Sequence, residues 1–464
     1  MLPTSAAGAG TDAGRLFGTD RGRLFDSYAA DIRDGQHLSV EGFRRLGTTW
    51  ERELERSRRR FLDARTREEA YFALLSLRNS VHDGHSSLAV PDSLKLEEKV
   101  VHVPLSLTVV DNGGALEYRV FWSGAESIKA GFLLTGFQGR SVAEARYEAM
   151  EWLSNNSSDQ LDLQLAHWLI RRFSPHEPLP EGPTARYEFR DPASGRTVVA
   201  ELPWKPGGRE REDPTRPTPE TDYAGWACDF TGINYCVYAD TAADALVLRF
   251  SSYFSLEDFL RLKPALSYAP KTPLKGSDPR RAAAALAGED LEHLASYLKR
   301  RNTRFKKLLI DLREGSVLFN GSFPGNRRLL EILARGPFRS TTAATVFVPL
   351  LSRDPEFLAR AFPEGWPLGE SLKAEMRRGT KFSPPRAFAD CATPLCRPGE
   401  GDGRPPRTGV QYRLYLLSGP RCASACDQLV STVKDNGLGE VLGLPSGGSS
   451  SPAREAKSFR LADG

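Results

Sequence analysis

The spacing of apolar residues predicts a mainly helical start to the chain. FRRLGTTWERELERSRRRFLDA and REEAYFALLSLRNS carry apolar residues at helical spacing, with Phe61 in the first and Phe72 in the second. VHDGHSS follows with a glycine and several turn-forming residues, so the second helix is predicted to end near Asn79. We therefore expect residues 1–98 to form an N-terminal helical segment.

Residues 99–204 change to short apolar runs separated by turn signals. The predicted strands are VVHVPLSLTVV, LEYRVFW, GFLLTGFQG, ARYEFRD and TVVAELPW. One helix, LDLQLAHWLIRRF at 161–173, interrupts them. This pattern predicts a small β-rich module inserted into a larger chain, and the polar, proline-rich residues 205–222 after it are predicted to be a linker.

Strands and helices alternate in residues 223–464. ALVLRFSSYF, FKKLLIDLRE, TAATVFVPLLS and VQYRLYLLSG are predicted strands, and DPRRAAAALAGEDLEHLASYLKRR and NRRLLEILARG are predicted helices. Residues 353–408 are rich in proline, glycine and charge, which indicates an excursion from the core. The alternation predicts the fold class α/β: a layered domain with a β-sheet and flanking helices.

Composition narrows the function classes. A length of 464 residues predicts two or three domains. The net charge of +4 comes from 63 basic and 59 acidic residues, which argues against a nucleic-acid surface. No apolar run approaches the length of a membrane span. The N-terminus MLPTSAAGAGTDAG has no charged region followed by an apolar one, so it does not have the pattern of an intact signal peptide.

The six cysteines fall into three close pairs. They are Cys228 with Cys236, Cys391 with Cys396, and Cys422 with Cys426. Disulfides in an oxidising compartment and free thiols both fit this pattern. None of the pairs has zinc-knuckle spacing and no histidine lies near them, which disfavours a metal site.

Ser424 lies where a predicted strand at 412–417 gives way to a helix that ends at Asn436-Gly437. A turn of small residues at the carboxyl edge of a sheet can present a nucleophile beside the free N–H groups of the first helical turn. The alternative is that Ser424 caps the helix, with Asp427 completing a variant capping box. The local sequence leaves both interpretations open.

Two further stretches carry candidate chemistry. His85 lies in the glycine-containing loop HDGHSS, where a histidine of near-neutral pKa can act as a base or be an ordinary surface residue. His82 and Asp83 lie close to it in sequence, but no further ligand accompanies them, so no metal site is predicted. In LLIDLREGSVLFNGSF a buried strand precedes Gly315 and Gly321, whose N–H groups could reach the same sheet edge; a salt-bridged strand end is the alternative.

Taken together, three stretches resemble the tail-specific (C-terminal processing) serine protease family, in its tricorn and retinoid-binding-protein-like branch. YFALLSLRNSVHDGHSSL resembles the family's histidine segment, FKKLLIDLRE its Asp-Leu-Arg strand, and RCASACDQLVSTVKDNGLGEVLGLPSGGSS its nucleophile segment with a Gly-rich return. GFLLTGFQGRSVAE (131–144) is similar to part of a PDZ domain, which implies a PDZ-like module at 99–204. The resemblance covers roughly residues 60–464.

The resemblance implies a role for each matching residue. Ser424 matches the nucleophile and His85 the general base, while Ala425 and Gly321 match the positions that give the oxyanion N–H groups. Ser449 stands near the place where the lysine-using branch has its lysine, so a Ser–His pair is expected in place of Ser–Lys. Glu455 is the candidate for the acid that orients the histidine.

The resemblance therefore implies a serine endopeptidase that acts on polypeptides, at C-terminal regions among others, without a cofactor or metal. The alternative is a non-catalytic protease-like fold that binds peptides or small hydrophobic ligands, because fold does not fix function. A polypeptide is the expected partner, with no nucleic acid and no membrane span, and the sequence indicates no oligomeric state. The cysteines and the resemblance together favour an extracellular or periplasmic location.

Overall fold

The computed structural model describes most of the chain, with gaps. The described residues are 20–35, 43–44, 47–81, 88–90, 94, 96, 98–153, 158–207, 223, 226–233, 235–250, 264, 266–271, 279–313, 323–339, 342–343, 347–362, 364–387 and 411–447. The chain divides into two compact units, the first comprising 1–222, 348–358 and 451–464, and the second 223–347 and 359–450. The finer division of the sequence into four parts stays a prediction.

Both units contain helices and strands. The helices in the described residues are α1 Arg21–Gly35, α2 Trp50–Asp63, α3 Arg67–Asn79, α4 Val142–Ala149, α5 Ser158–Trp168, α6 Pro279–Arg301, α7 Phe323–Leu333, α8 Leu350–Arg353, α9 Pro355–Ala361, α10 Pro367–Arg377 and α11 Ala425–Asp435. The strands are β1 Lys99–His102, β2 Leu105–Asn112, β3 Ala115–Ser123, β4 Leu133–Phe137, β5 Arg140–Ser141, β6 Arg171–Ser174, β7 Thr184–Arg190, β8 Thr197–Pro203, β9 Lys205–Gly207, β10 Cys228–Thr231, β11 Tyr235–Asp240, β12 Ala245–Phe250, β13 Lys307–Asp311, β14 Thr342–Ala343, β15 Arg386–Ala387, β16 Arg413–Ser418 and β17 Gly439–Gly443. None of these helices is long and apolar enough to cross a membrane.

The first unit begins with the predicted helical segment. Thr49 and Thr66 cap α2 and α3 by accepting hydrogen bonds from backbone N–H groups of their first turns. The rings of Phe25 and Phe61 lie 5.6 Å apart, and both side chains are fully buried between the helices. Helix α3 ends at Asn79, as the turn-forming residues after it predict.

Two antiparallel sheets follow in the first unit. One has the strand order β2-β3-β4-β7-β8 with β5 beside β4, and the other has the order β6-β1-β9. Helix α4, which follows β5, begins at a complete capping box formed by Ser141 and Glu144. Around residues 131–144 the chain forms β4, a turn, the short β5 and then α4, while the PDZ likeness stays a prediction.

The structure differs from the sequence pattern at two places in this unit. The predicted helix at 161–173 ends at Trp168, and Arg171–Ser174 forms β6, because its backbone pairs with β1, from Lys99 to His102. Residues 205–207, predicted as linker, form β9 on the other side of β1. In both cases a distant strand supplies hydrogen bonds that local spacing does not report.

The second unit is built on one six-stranded sheet with the order β10-β11-β12-β13-β16-β17. The first three strands are antiparallel, and β12, β13, β16 and β17 are parallel. Leu248, Ile310 and Leu416 lie side by side in register and are fully buried. Helix α7 packs against both α6 and α11. The carboxyl ends of the four parallel strands therefore lie along one edge of the sheet.

The region between β13 and β16 departs from the predicted pattern. The run TAATVFVPLLS, predicted as one strand, contains the two-residue β14 and then the helix α8. Pro349 directly precedes α8; proline cannot donate to a strand ladder and its fixed φ suits a helix start. Residues 353–408, predicted as an excursion from the core, include α9 and α10, and Phe362 and Trp366 are buried there.

Candidate active site

The turn between β16 and α11 carries Ser424 at the carboxyl edge of the parallel sheet. Strand β16 ends at Ser418, and the N–H of Cys422 donates to the carbonyl of Gly419 at 2.8 Å, which closes a tight turn. Ser424 then directly precedes the first residue of α11, Ala425. The predicted sequence of strand, turn and helix is confirmed here.

The backbone of Ser424 is held in an unfavourable conformation. Its φ is 58° and its ψ is −121°, a region that residues with a Cβ rarely adopt. A backbone conformation of this kind costs about 1–3 kcal/mol of free energy. It persists where the surrounding structure enforces it, often at functional sites. A serine in an ordinary helix-capping role has extended backbone and no such strain.

The capping alternative is not what the structure forms. Within the described chain, the side chain of Ser424 makes no capping hydrogen bond to α11. The carboxylate of Asp427, which a capping box would direct back towards Ser424, instead accepts a hydrogen bond from Ser446 Oγ. Ser424 is therefore positioned at the helix N-terminus without being used as its cap.

A disulfide between Cys422 and Cys426 spans Ser424. The two Cα atoms are 5.0 Å apart and both residues are fully buried. Cys228 and Cys236 form a second disulfide in the same unit. For these four cysteines the disulfide interpretation holds over free thiols and metal, and no group of three or more potential metal ligands occurs among the described residues. Cys391 and Cys396 lie outside the described residues.

Contacts from other segments also hold the start of α11. The N–H of Gly447, after β17, donates to the carbonyl of Cys422 at 3.0 Å. Asn326, near the start of α7, donates from Nδ2 to the carbonyl of Ala425 at 2.7 Å. Ala425 is the first residue of α11, where backbone N–H groups have no partner within the helix and the helix dipole is positive. Its N–H is therefore suited to stabilise an oxyanion.

The Asp-Leu-Arg stretch ends β13 beside this turn. Asp311 is opposite Leu417 in the ladder, and the N–H of Leu312 donates to the carbonyl of Leu417 at 2.9 Å. The Arg313 side chain lies against Gly419, since a Cβ added there would be 3.7 Å from Arg313 Cγ. The sheet therefore brings the Asp-Leu-Arg stretch and the nucleophile stretch to the same edge.

Asp311 is a buried carboxylate with two partners. Arg313 donates to both of its oxygens, at 3.0 and 2.8 Å, and the hydroxyl of Tyr223 donates to Oδ2 at 2.7 Å. Burial alone would raise the pKa of Asp311, but these hydrogen bonds hold that pKa below its ordinary value. Burial and the bond to Asp311 raise the pKa of Tyr223. The salt-bridged strand end, one of the two sequence interpretations, is thus present.

Sequence reasoning overlooked Asn326, which it treated only as the start of a helix. A signal was available, because Leu329 and Leu330 are three and four residues further on, and both are buried. Residues at this spacing share a helix face, so a polar Asn326 on the core side should have attracted notice. Tyr223 was overlooked too, at the end of a segment that composition marks as polar linker.

His85, Gly321 and Glu455 lie outside the described residues, as do Gly315 and Ser449. The roles of His85 as base, Gly321 as second oxyanion donor and Glu455 as orienting acid stay predictions. Of the sequence-predicted site, Ser424 and Ala425 are described, and both lie at the N-terminus of α11.

The fold has counterparts among solved structures. No family model matches the chain, and no curated protein matches it in sequence. Three structures of CPAF match across 92% of this chain. The structure of mature CPAF complexed with lactacystin has 14% identity, a TM-score of 0.56 and 84% of its chain covered. Mature CPAF alone has 13% identity and a TM-score of 0.55, with 83% of its chain covered. A serine-to-alanine variant of CPAF has 14% identity and a TM-score of 0.54, with 84% of its chain covered.

This likeness confirms the predicted fold class. The chain has the fold of CPAF, and the alignment with the lactacystin complex covers most of both chains. At 14% identity, the likeness establishes the fold and leaves the activity to be argued from the site.

Proposed function

We propose that this protein is a serine endopeptidase that hydrolyses polypeptides with Ser424 as its nucleophile. The observation that supports this most directly is the backbone of Ser424, which is strained and unused as a cap at the N-terminus of α11. That arrangement places the half-buried Ser424 at the sheet edge, beside the N–H groups of the first helical turn.

In the proposed mechanism His85 takes the proton from Ser424 Oγ as Oγ attacks the scissile carbonyl. The carbonyl oxygen becomes an oxyanion that accepts hydrogen bonds from the N–H groups of Ala425 and Gly321. His85 then gives its proton to the leaving amine, which leaves an acyl-enzyme on Ser424. Water, deprotonated by His85, releases the acyl group and regenerates the serine. Glu455 is the proposed partner that orients His85.

A serine-directed fluorophosphonate probe tests this mechanism. The wild-type chain should be labelled at Ser424, and Ser424→Ala should lose both labelling and hydrolysis of an unfolded protein such as casein by about 10⁴-fold or more. His85→Gln should slow labelling strongly while the protein stays folded, because the hydroxyl loses its base. Lactacystin, bound in one CPAF structure, is a second ligand to test for competition with the probe.

The alternative function, a non-catalytic peptide-binding fold, predicts the opposite result. Wild-type protein that binds a peptide tightly yet shows no labelling and no hydrolysis would establish that alternative. A preference for C-terminal regions is tested separately, with matched peptides that end in a free carboxylate or in an amide. Faster cleavage of the free acid supports the preference, and equal rates contradict it.

We also propose that the protein is extracellular or periplasmic. The disulfides Cys228–Cys236 and Cys422–Cys426 support this location, since disulfides persist in oxidising compartments. Mass spectrometry of the natural protein without reduction should find both cross-links. Fully reduced thiols would contradict the proposal.

A further inference from the structure

Asn326 carries a buried amide that reaches from one helix to the first residue of another. The residue lies near the start of α7 and is only 6% exposed. Its Nδ2 donates to the carbonyl oxygen of Ala425 at 2.7 Å. Since a carbonyl can only accept a hydrogen bond, this contact fixes which end of the amide faces α11.

The Oδ1 end of the amide indicates that packing alone does not account for an asparagine at position 326. Oδ1 is buried, and none of the described residues donates a hydrogen bond to it. An apolar residue of the same shape would avoid this unpaired acceptor, and the neighbouring Leu329 and Leu330 on the same face are core leucines. The hydrogen bond to Ala425 is therefore the interaction that an asparagine supplies and a leucine cannot.

We propose that Asn326 is a positioning residue for the nucleophile, an inference that rests on the proposed peptidase function. By holding the carbonyl of Ala425, its amide fixes the first turn of α11, and with it the N–H of Ala425 and the adjoining Ser424. The φ of Ser424 is unfavourable, so the turn must be held from outside. A misplacement of about 1 Å in such a site can cost about 10²-fold in rate.

Asn326→Leu in the full chain tests the proposal. The variant keeps a side chain branched at Cγ, with a larger volume, and removes both the donor and the unpaired acceptor. We expect the rate of fluorophosphonate labelling at Ser424 to fall about 10- to 100-fold, and kcat for a peptide to fall with KM nearly unchanged. The melting temperature should stay near that of the wild type.

Asn436→Leu is the matched control. Asn436 follows the last residue of the same helix and also donates from Nδ2 to a backbone carbonyl, that of Arg339, at 2.8 Å. Helix α11 has 11 residues, so the two asparagines act about 16 Å apart along its axis. The control should change stability and leave the labelling rate of the folded protein unchanged.

Asn326→Asp adds a readout that a purely structural role would not move. The introduced carboxyl can donate to Ala425 only when protonated, so labelling relative to wild type should decline as pH rises. The positioning role is overturned if Asn326→Leu labels as fast as wild type, or if it and Asn436→Leu are slowed equally. A wild-type chain that is never labelled overturns the peptidase function, and the role of Asn326 with it.

Discussion

Replacing the buried disulfide at the nucleophile turn should slow chemistry at Ser424 more than it lowers stability. The perturbation is Cys422→Ala together with Cys426→Ala, with alanine chosen because both positions are fully buried and a serine hydroxyl there would need a partner. The matched control is Cys228→Ala with Cys236→Ala, which removes the second disulfide of the same unit.

The two variants are expected to lose nearly equal stability. The cysteines of the nucleophile turn are 4 positions apart, and the loop-entropy relation gives about 2 kcal/mol for that cross-link. The control pair is 8 positions apart, which gives about 2.5 kcal/mol. Any larger effect of the first pair on activity therefore cannot come from global destabilisation.

The effect on activity follows from the strain at Ser424. Its backbone lies about 1–3 kcal/mol above a relaxed conformation, and the cross-link holds the residues on both sides of it. If the turn recovers about 1–2 kcal/mol by relaxing, the active geometry becomes roughly 5- to 30-fold less populated. The contacts from Asn326 and Gly447 remain, so labelling should be slowed and not abolished.

The assay is the rate of fluorophosphonate labelling at Ser424 in folded protein, with urea unfolding measured in parallel. We expect a roughly 5- to 30-fold slower rate for the Cys422/Cys426 variant and a wild-type rate for the control. Equal labelling in all three proteins would refute the idea that the disulfide holds the nucleophile turn. Equal slowing in both variants would assign the effect to stability alone.

Two further predictions concern stability in each unit. Burial raises the pKa of Glu177 from 4.5 to about 7, against the attraction of Arg172. Because the folded pKa lies above the unfolded one, this group stabilises the fold below about pH 4.5, and up to roughly 3 kcal/mol is lost as pH rises through 7. Glu177→Gln should remove that loss in urea unfolding compared at pH 5 and pH 8, and an unchanged pH dependence would contradict it. Gly443 has a φ of +91°, and a Cβ there would lie 2.4 Å from the carbonyl oxygen of Ser418. Gly443→Ala should cost about 1–3 kcal/mol by calorimetry. Gly437→Ala, at a φ of +59° but with no atom within 4 Å, should cost less, and equal costs would refute the contact argument.

Local sequence determined the elements whose hydrogen bonds and packing lie within a few residues of one another. Helix α3 ends at the predicted Asn79, and the strand, turn and helix around Ser424 lie where apolar spacing and the Asn-Gly stop put them. The order of strands and helices also determined the α/β class, and the chain shares the fold of the CPAF structures.

Tertiary structure decided what depends on residues far apart in the sequence. Arg171–Ser174 is a strand because β1 pairs with it, although its own pattern is helical. Tyr223 and Asp311 meet across 88 positions, and Asn326 and Ala425 across 99. No periodicity reports such contacts, because each is created only when separate segments pack. The sequence alone could propose Ser424 as cap or nucleophile. Its strained backbone and the lack of a capping hydrogen bond from its side chain became visible only in the fold.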